Sequence, residues 1–440
     1  MKVERFLGTF ERMIAKVVKG LPRRNFICFV SRFISYDYTF LKDSIKENGS
    51  NVDDIHFGVT DEGEMHKDKL IYLVKNIQMI NLKEKTILNN ISNLLKKYTN
   101  EFSVEEIYLI IHTFCKLNFT KYSLYNNFVK IIMNKKPLIN TRTLTQLLID
   151  LHKSSSLDMN ALTFFTQYYI KNSLKKFSLF DLSMLLYIFN KYNYNDMVTV
   201  GGICDVIRGY FMPVVSEDKG VLTTILLSLS VLNANYDLYS HLVKEHVYKN
   251  YEHFEVKYLC NIAYSIVLWL ANGLKKDDSL SGALDDVVSL LLRNTHKLKN
   301  EELKQIHIVL YFLRALGDNC DDAINKIEKK NIKNTITVSK IQQQIERFFK
   351  EMGLQVQREL PVGPYMLDFA LKKKRVCIEV NGFTHYYTFG GKLNSKTKLK
   401  YFILRKLQWK VITIEYMDWK NKSKDDKLKY IEAHILDKIR

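Results

Sequence analysis

Apolar residues recur along this chain with two different periods, and the change of period divides it. In the first 24 residues, Val3, Phe6, Leu7, Phe10, Met13, Ile14, Val17, Val18 and Leu21 fall three or four apart. That spacing predicts an amphipathic helix. Its polar face carries Lys2, Arg5, Arg12, Lys16, Lys19, Arg23 and Arg24 against only Glu4 and Glu11. A basic, acid-poor amphipathic start reads as a mitochondrial targeting segment, assigned to residues 1–43. Residues 44–68 are polar, acidic and poor in large apolar groups, which predicts a flexible linker.

From residue 69 a longer repeat sets in. The segments 70–81 (LIYLVKNIQMIN), 107–118 (IYLIIHTFCKLN), 144–155 (LTQLLIDLHKSS), 182–193 (LSMLLYIFNKYN) and 222–233 (LTTILLSLSVLN) share one helical pattern, with 262–272 and 306–316 continuing it. Met79, Lys116, Lys153, Lys191 and Val231 occupy one equivalent position in this alignment. Second helix-like halves follow, such as 122–133 and 161–170. Two helices per unit at a near-constant period predict an α-solenoid over residues 69–335, in which stacking supplies the core that no single pair can bury. Asn76, Asn118, Asn193 and Asn233 stand near the helix ends. A polar column of this kind can read RNA bases, and asparagine there is equally expected as a helix stop.

At about residue 336 the period changes again. Residues 338–352 form an amphipathic helix with Ile341, Ile345, Phe348 and Phe349 inward. Strand-like pieces follow at 354–360, 365–371 and 376–380, separated by the turns PVGP and KKKR. A helix near 394–407, a strand at 410–416 and a helix at 423–438 complete the segment. The order predicts two antiparallel hairpin pairings, then a right-handed crossover to a parallel fourth strand. The fold class expected is therefore mostly α: a helical-repeat solenoid followed by a small C-terminal α/β domain over 336–440.

Composition adds a partner. Net charge is +19, which calls for a polyanion, although lysine spread over a solvated surface gives the same total. The distribution decides: residues 336–440 hold 22 Lys and Arg against 11 Asp and Glu, so a quarter of the chain carries over half of the excess. Lys392, Lys396, Lys398, Lys400, Arg405 and Lys406 gather on and before one helix, and Phe383, Tyr386, Tyr387 and Phe389 lie in the loop ahead of it. Cations for phosphates beside rings for bases suit single-stranded RNA. His385, Tyr386, Lys392, Lys396, Lys398, Lys400 and Arg405 are the RNA-binding candidates. The six cysteines stand singly, without metal-ligand spacing, which predicts reduced thiols and no zinc. No apolar run is long enough to span a bilayer.

One feature points to catalysis instead. Asp368 lies in one strand and Glu379 in its hairpin partner, with Asn381 on the same side as Glu379. Glu346 of the preceding helix can approach the same spot. Two carboxylates on neighbouring strands are a minimal Mg²⁺ site. The third group is normally a lysine. Here that place holds Asn381, for which Lys398 or His385 is a candidate substitute.

The segments LDFAL, VCIEVNGFTHYY and KLKYFILRKLQWKVITIEYMDW resemble the RAP domain, matching its pattern at Asp368, Glu379, Gly382, His385, Leu407, Trp409, Tyr416 and Trp419. Asn381 and Gln408 depart from the usual Asp and Gly. The resemblance implies a restriction-endonuclease-like fold preceded by helical repeats, as in FAST-kinase-like mitochondrial proteins. It also implies organellar RNA metabolism: transcript processing, mRNA stability or rRNA maturation in the mitochondrial matrix. RNA is the expected partner, with organellar ribosome or RNA-granule proteins as further candidates. Binding needs no cofactor. The alternatives are an Mg²⁺-dependent endoribonuclease using Asp368 and Glu379, and a structural component of an organellar ribosome. The departure at Asn381 favours a binder over an active enzyme.

Overall fold

The computed structural model describes residues 67–79, 84–211, 218–273, 278–330, 339–436 and 438. The amphipathic start, nearly all of the linker and the expected junction near residue 336 lie outside the described residues.

The repeat folds as helix pairs. The first helices are α1 (Lys67–Met79), α3 (Val104–Lys116), α5 (Thr141–Lys153), α7 (Leu179–Lys191), α9 (Lys219–Leu232), α11 (Val256–Ala271) and α13 (Asn300–Leu316). The second helices are α2 (Lys85–Leu95), α4 (Tyr122–Lys135), α6 (Met159–Phe165), α8 (Met197–Phe211), α10 (Tyr236–Leu242), α12 (Asp278–Arg293) and α14 (Asp321–Glu328). Side chains cap the starts: Ser103 and Glu106 form a capping box, and Asn140, Ser178 and Asp218 each accept from a first-turn N–H. Asn118, Asn193 and Asn233 end their helices with φ near +50°, the left-handed region that asparagine tolerates. Their helix-stop role is thus real. Asn76 instead sits inside α1 and bonds back to the Tyr72 carbonyl.

The chain divides into two compact units, residues 1–173 and 174–440. In the first, α1, α3 and α5 stack side by side. In the second, α7, α9, α11 and α13 do the same, and the C-terminal domain belongs to this unit.

That domain opens with α15 (Lys340–Glu351), capped by Ser339 and Gln342. Strands β1 (Gln357–Val362), β2 (Tyr365–Leu371), β3 (Val376–Asn381) and β4 (Lys410–Glu415) form one sheet in that order. The first two pairings are antiparallel and the last is parallel, as the crossover through α16 (Ser395–Lys406) requires. The first turn is tighter than the sequence suggests. Pro361 and Val362 remain in edge strand β1, and only Gly363 and Pro364 turn, because Gly363 takes φ +56°. Beyond β4 the chain enters α17 (Tyr416–Lys420) and α18 (Lys424–Ile431), which runs on as a π-helical turn over Glu432–Leu436, so the expected last helix is present and is preceded by an extra turn.

Strand β3 is buried on both faces. Ile378 and Val380 point to Ile345, Phe349, Trp419 and Ile431, while Cys377 points to Leu404 and Trp409. Glu379 and Asn381 share the side of Cys377. The layers of the second unit therefore run from α15 and the C-terminal helices, through the sheet, to α16, and on to α9, α11 and α13, which α16 touches.

Candidate nucleic-acid interface

The carboxylate pair forms where β2 and β3 stop pairing. Their ladder runs Leu371–Val376, Ala370–Cys377, Phe369–Ile378. One step further, Asp368 uses its side chain in place of the ladder: its Oδ2 accepts from the Val380 N–H at 2.7 Å. Opposite it stands Glu379, 1% exposed. Lys400 of α16 donates to Glu379 Oε2 at 2.5 Å and to the Met366 carbonyl at 3.1 Å. Glu379 Oε1 has no partner among the described residues. Burial raises the Glu379 carboxyl to about 7, with Lys400 pulling it down and Asp368 pushing it up.

Lysine does return to the site, from the helix rather than the strand, and it is Lys400 rather than Lys398. Asn381 is fully buried, and both ends of its amide are engaged: Oδ1 accepts from the Tyr401 hydroxyl and Nδ2 donates to Glu415 Oε1 at 3.3 Å. It ties β3, β4 and α16 together. Glu346 does not join the pair. It bonds Arg358 of β1 at 2.8 Å and Lys350 of its own helix. The additional carboxylate is Glu359, which sequence reasoning missed. It lies between the pairs Arg358–Phe369 and Leu360–Leu367, hence across from Asp368. Its carboxyl is raised by burial first and by Asp368 second. Glu359 also holds φ +52°, unusual for a non-glycine residue in a strand.

Among the described residues no three His, Cys, Asp or Glu side chains gather as a metal cage. In kind, Asp368 and Glu379 suit Mg²⁺. In arrangement, Lys400 engages only Oε2 of Glu379 and leaves the buried Oε1 without a partner among the described residues.

The lysines on and before α16 differ in their surroundings. Lys400 is committed to Glu379 and lies inside the domain. Lys396 has open surface yet is crowded by protein, which lowers its ammonium to about 8, desolvation first and Lys191 second. Lys398 is half-buried and lowered by desolvation, then by Lys392. Arg405 stays exposed, 5.8 Å from the Tyr401 ring. His385 is half-buried, its Nδ1 3.5 Å from Thr397 Oγ1. Burial lowers it, then Lys400, while Asp368 opposes.

The aromatic loop is largely an anchor. Tyr387 is buried, donating to the Val231 carbonyl at 2.6 Å with Ser395 Oγ 2.8 Å away. Thr388 bonds Asn193 through its N–H and Tyr192 through its hydroxyl. The Phe389 N–H donates to Asn195 Oδ1, and its ring meets Tyr194 edge-on at 5.0 Å. Asn193 Nδ2 returns a bond to the Thr384 carbonyl. Tyr386 is half-buried and bridges Leu393 through its backbone. Phe383 alone of the four stays widely open, 62% exposed, 4.3 Å from Tyr416.

A mixed four-stranded sheet with a carboxylate pair at its strand split, tied to a helical repeat, defines the class. Residues 378–434 match the family model of the RAP domain. The chain thus carries a RAP domain, a module generally associated with RNA binding, behind a helical repeat. No helix of the described residues is long and apolar enough to cross a membrane.

Proposed function

We propose that this protein is a mitochondrial RNA-binding factor acting in RNA processing, transcript stability or ribosomal RNA maturation and assembly. One observation carries the reading. Of the nuclease-like carboxylates, Glu379 pairs through Oε2 with Lys400 and Asp368 accepts from the Val380 N–H, while Lys392, Lys396 and Lys398 of the same domain meet no carboxylate among the described residues. A domain arranged in this way holds a polyanion without a built-in means of cutting it. The basic amphipathic start supports import into the matrix, where processing or ribosome-assembly partners would be met.

Purified protein is expected to bind single-stranded RNA with an affinity that falls steeply as salt rises. Salt-insensitive binding, or none, overturns the proposal. In cells, crosslinking followed by sequencing names the transcript, and co-sedimentation with ribosomal particles would move the reading toward a ribosomal component.

A second reading is favoured by Lys400, which supplies the positive charge that Asn381 lacks. In it, Asp368 and Glu379 hold Mg²⁺, whose Lewis acidity would assist hydrolysis of an RNA phosphodiester. RNA is expected to stay intact with Mg²⁺ for wild type and Glu379→Ala alike. Cleavage that EDTA and Glu379→Ala both abolish would establish the nuclease instead.

A further inference from the structure

The second unit contains a basic seam that the domain's own fold does not explain. Lys191 ends α7, and the next residues, Tyr192 and Asn193, receive Thr388 through two hydrogen bonds. After Phe389 the loop turns at Gly390 and Gly391, with φ +80° and +60°, and delivers Lys392. Three residues later α16 starts at Ser395, which Asn272 of the repeat bonds at 3.0 Å. Lys396 follows in the first turn, and the charge acting on it is Lys191. Lys398 comes next, under the influence of Lys392.

These four lysines are not held in ion pairs, as some lysines of the molecule are. Lys67, Lys249, Lys257, Lys304, Lys350 and Lys400 each meet a carboxylate within 4.0 Å. Among the described residues, Lys191, Lys392, Lys396 and Lys398 meet none; Lys191 only lies over the Tyr187 ring at 5.1 Å. Docking the RAP domain on the repeat therefore gathers like charges and crowds two of them with protein, with no carboxylate paired to them among the described residues. Such crowding is unfavourable in the free protein and is offset when a chain of phosphates enters. The same crowding makes the site composite: one lysine comes from the repeat and three from the RAP domain.

We propose that the seam between the end of α7 and the first turn of α16 binds the phosphodiester backbone of single-stranded RNA, through Lys191 together with Lys392, Lys396 and Lys398. This deepens the RNA-binding reading above and rests on it. His385, which feels the charges of Lys400 and Asp368, accepts at its carbonyl from the Asn394 N–H just ahead of α16.

The test uses the full chain, labelled oligouridylate and a potassium chloride titration. The variants are Lys191→Gln, Lys396→Gln, both together, and Lys249→Gln, which removes the same charge from a remote ion pair. Each seam variant is expected to lower the slope of log affinity against log salt by about 0.7 and to weaken binding roughly fourfold near physiological salt. The double variant is expected to lose both increments. Lys396→Arg is expected to bind like wild type, which separates lost charge from lost folding. If wild type binds with a steep slope and the seam variants match Lys249→Gln, the seam is overturned and RNA binding stands. If wild type does not bind, both fall.

Discussion

Lys396 shows how one side chain links packing to partner. Its ammonium is lowered to about 8 from an ordinary 10.5 because protein and Lys191 surround it. The unfolded chain holds this proton up to the ordinary value, and the folded chain gives it up near 8. From this group alone, stability rises with pH between those values, because the unfolded state binds more protons there. RNA binding moves the opposite way: affinity is expected to drop as pH rises through about 8, when the charge is lost. Lys396→Arg keeps its charge and is expected to abolish that drop. Anisotropy measured across the alkaline range checks this, and an identical decline in both proteins would contradict it. None of this was readable from composition. A lysine in the sequence carries no sign of how much protein will crowd it. Glu359 was hidden for a similar reason. Its place across from Asp368 follows from strand register, and its φ of +52° follows from neither residue type nor spacing. Asp368 and Glu379 were legible because a carboxylate on an apolar strand needs a cause. Glu346 was misplaced because Arg358, on β1, claims it.

At the scale of elements, helix periodicity was the strongest signal. The first helices α3, α5 and α7 end at Lys116, Lys153 and Lys191, the aligned positions of the repeat. The strand order followed from turn residues and alternation. The first hairpin turn did not, since proline usually argues against a strand, and Pro361 survives only on the edge. That turn also fixes the docking. A Cβ on Gly363 would lie 2.4 Å from the Tyr311 ring of α13, and the residue holds φ +56°. Gly363→Ala is expected to cost about 2 kcal/mol from overpacking and backbone strain together. Denaturant unfolding measures this. A loss near zero would mean the hairpin does not press on the repeat. Phe402 of α16 makes a second contact with α13, its ring 5.4 Å from Phe312. The outer side of α16 is therefore a joint with the repeat, and the lysines on it are placed by that joint.

At the scale of the whole molecule, the sequence divides where composition changes, near residue 336, and contact divides the chain at 173. The difference has a physical reason. Charge and period report which segment folds by which rule. They do not report that the loop 382–394 will satisfy a carbonyl in the last turn of α9 with the Tyr387 hydroxyl, and the two carbonyls just past α7 with the N–H and hydroxyl of Thr388. Those carbonyls lack partners within their own helices, and the RAP domain supplies them. The functional unit implied is the RAP domain with its neighbouring repeats, both of which RNA is expected to meet. Ultraviolet crosslinking of the full-length protein to single-stranded RNA, with the modified peptides read by mass spectrometry, tests this most directly. Adducts are expected on the segment 383–398, with Phe383 foremost, and on the end of α7 around Lys191. RNA that binds and crosslinks elsewhere, leaving both segments unmodified, would contradict it.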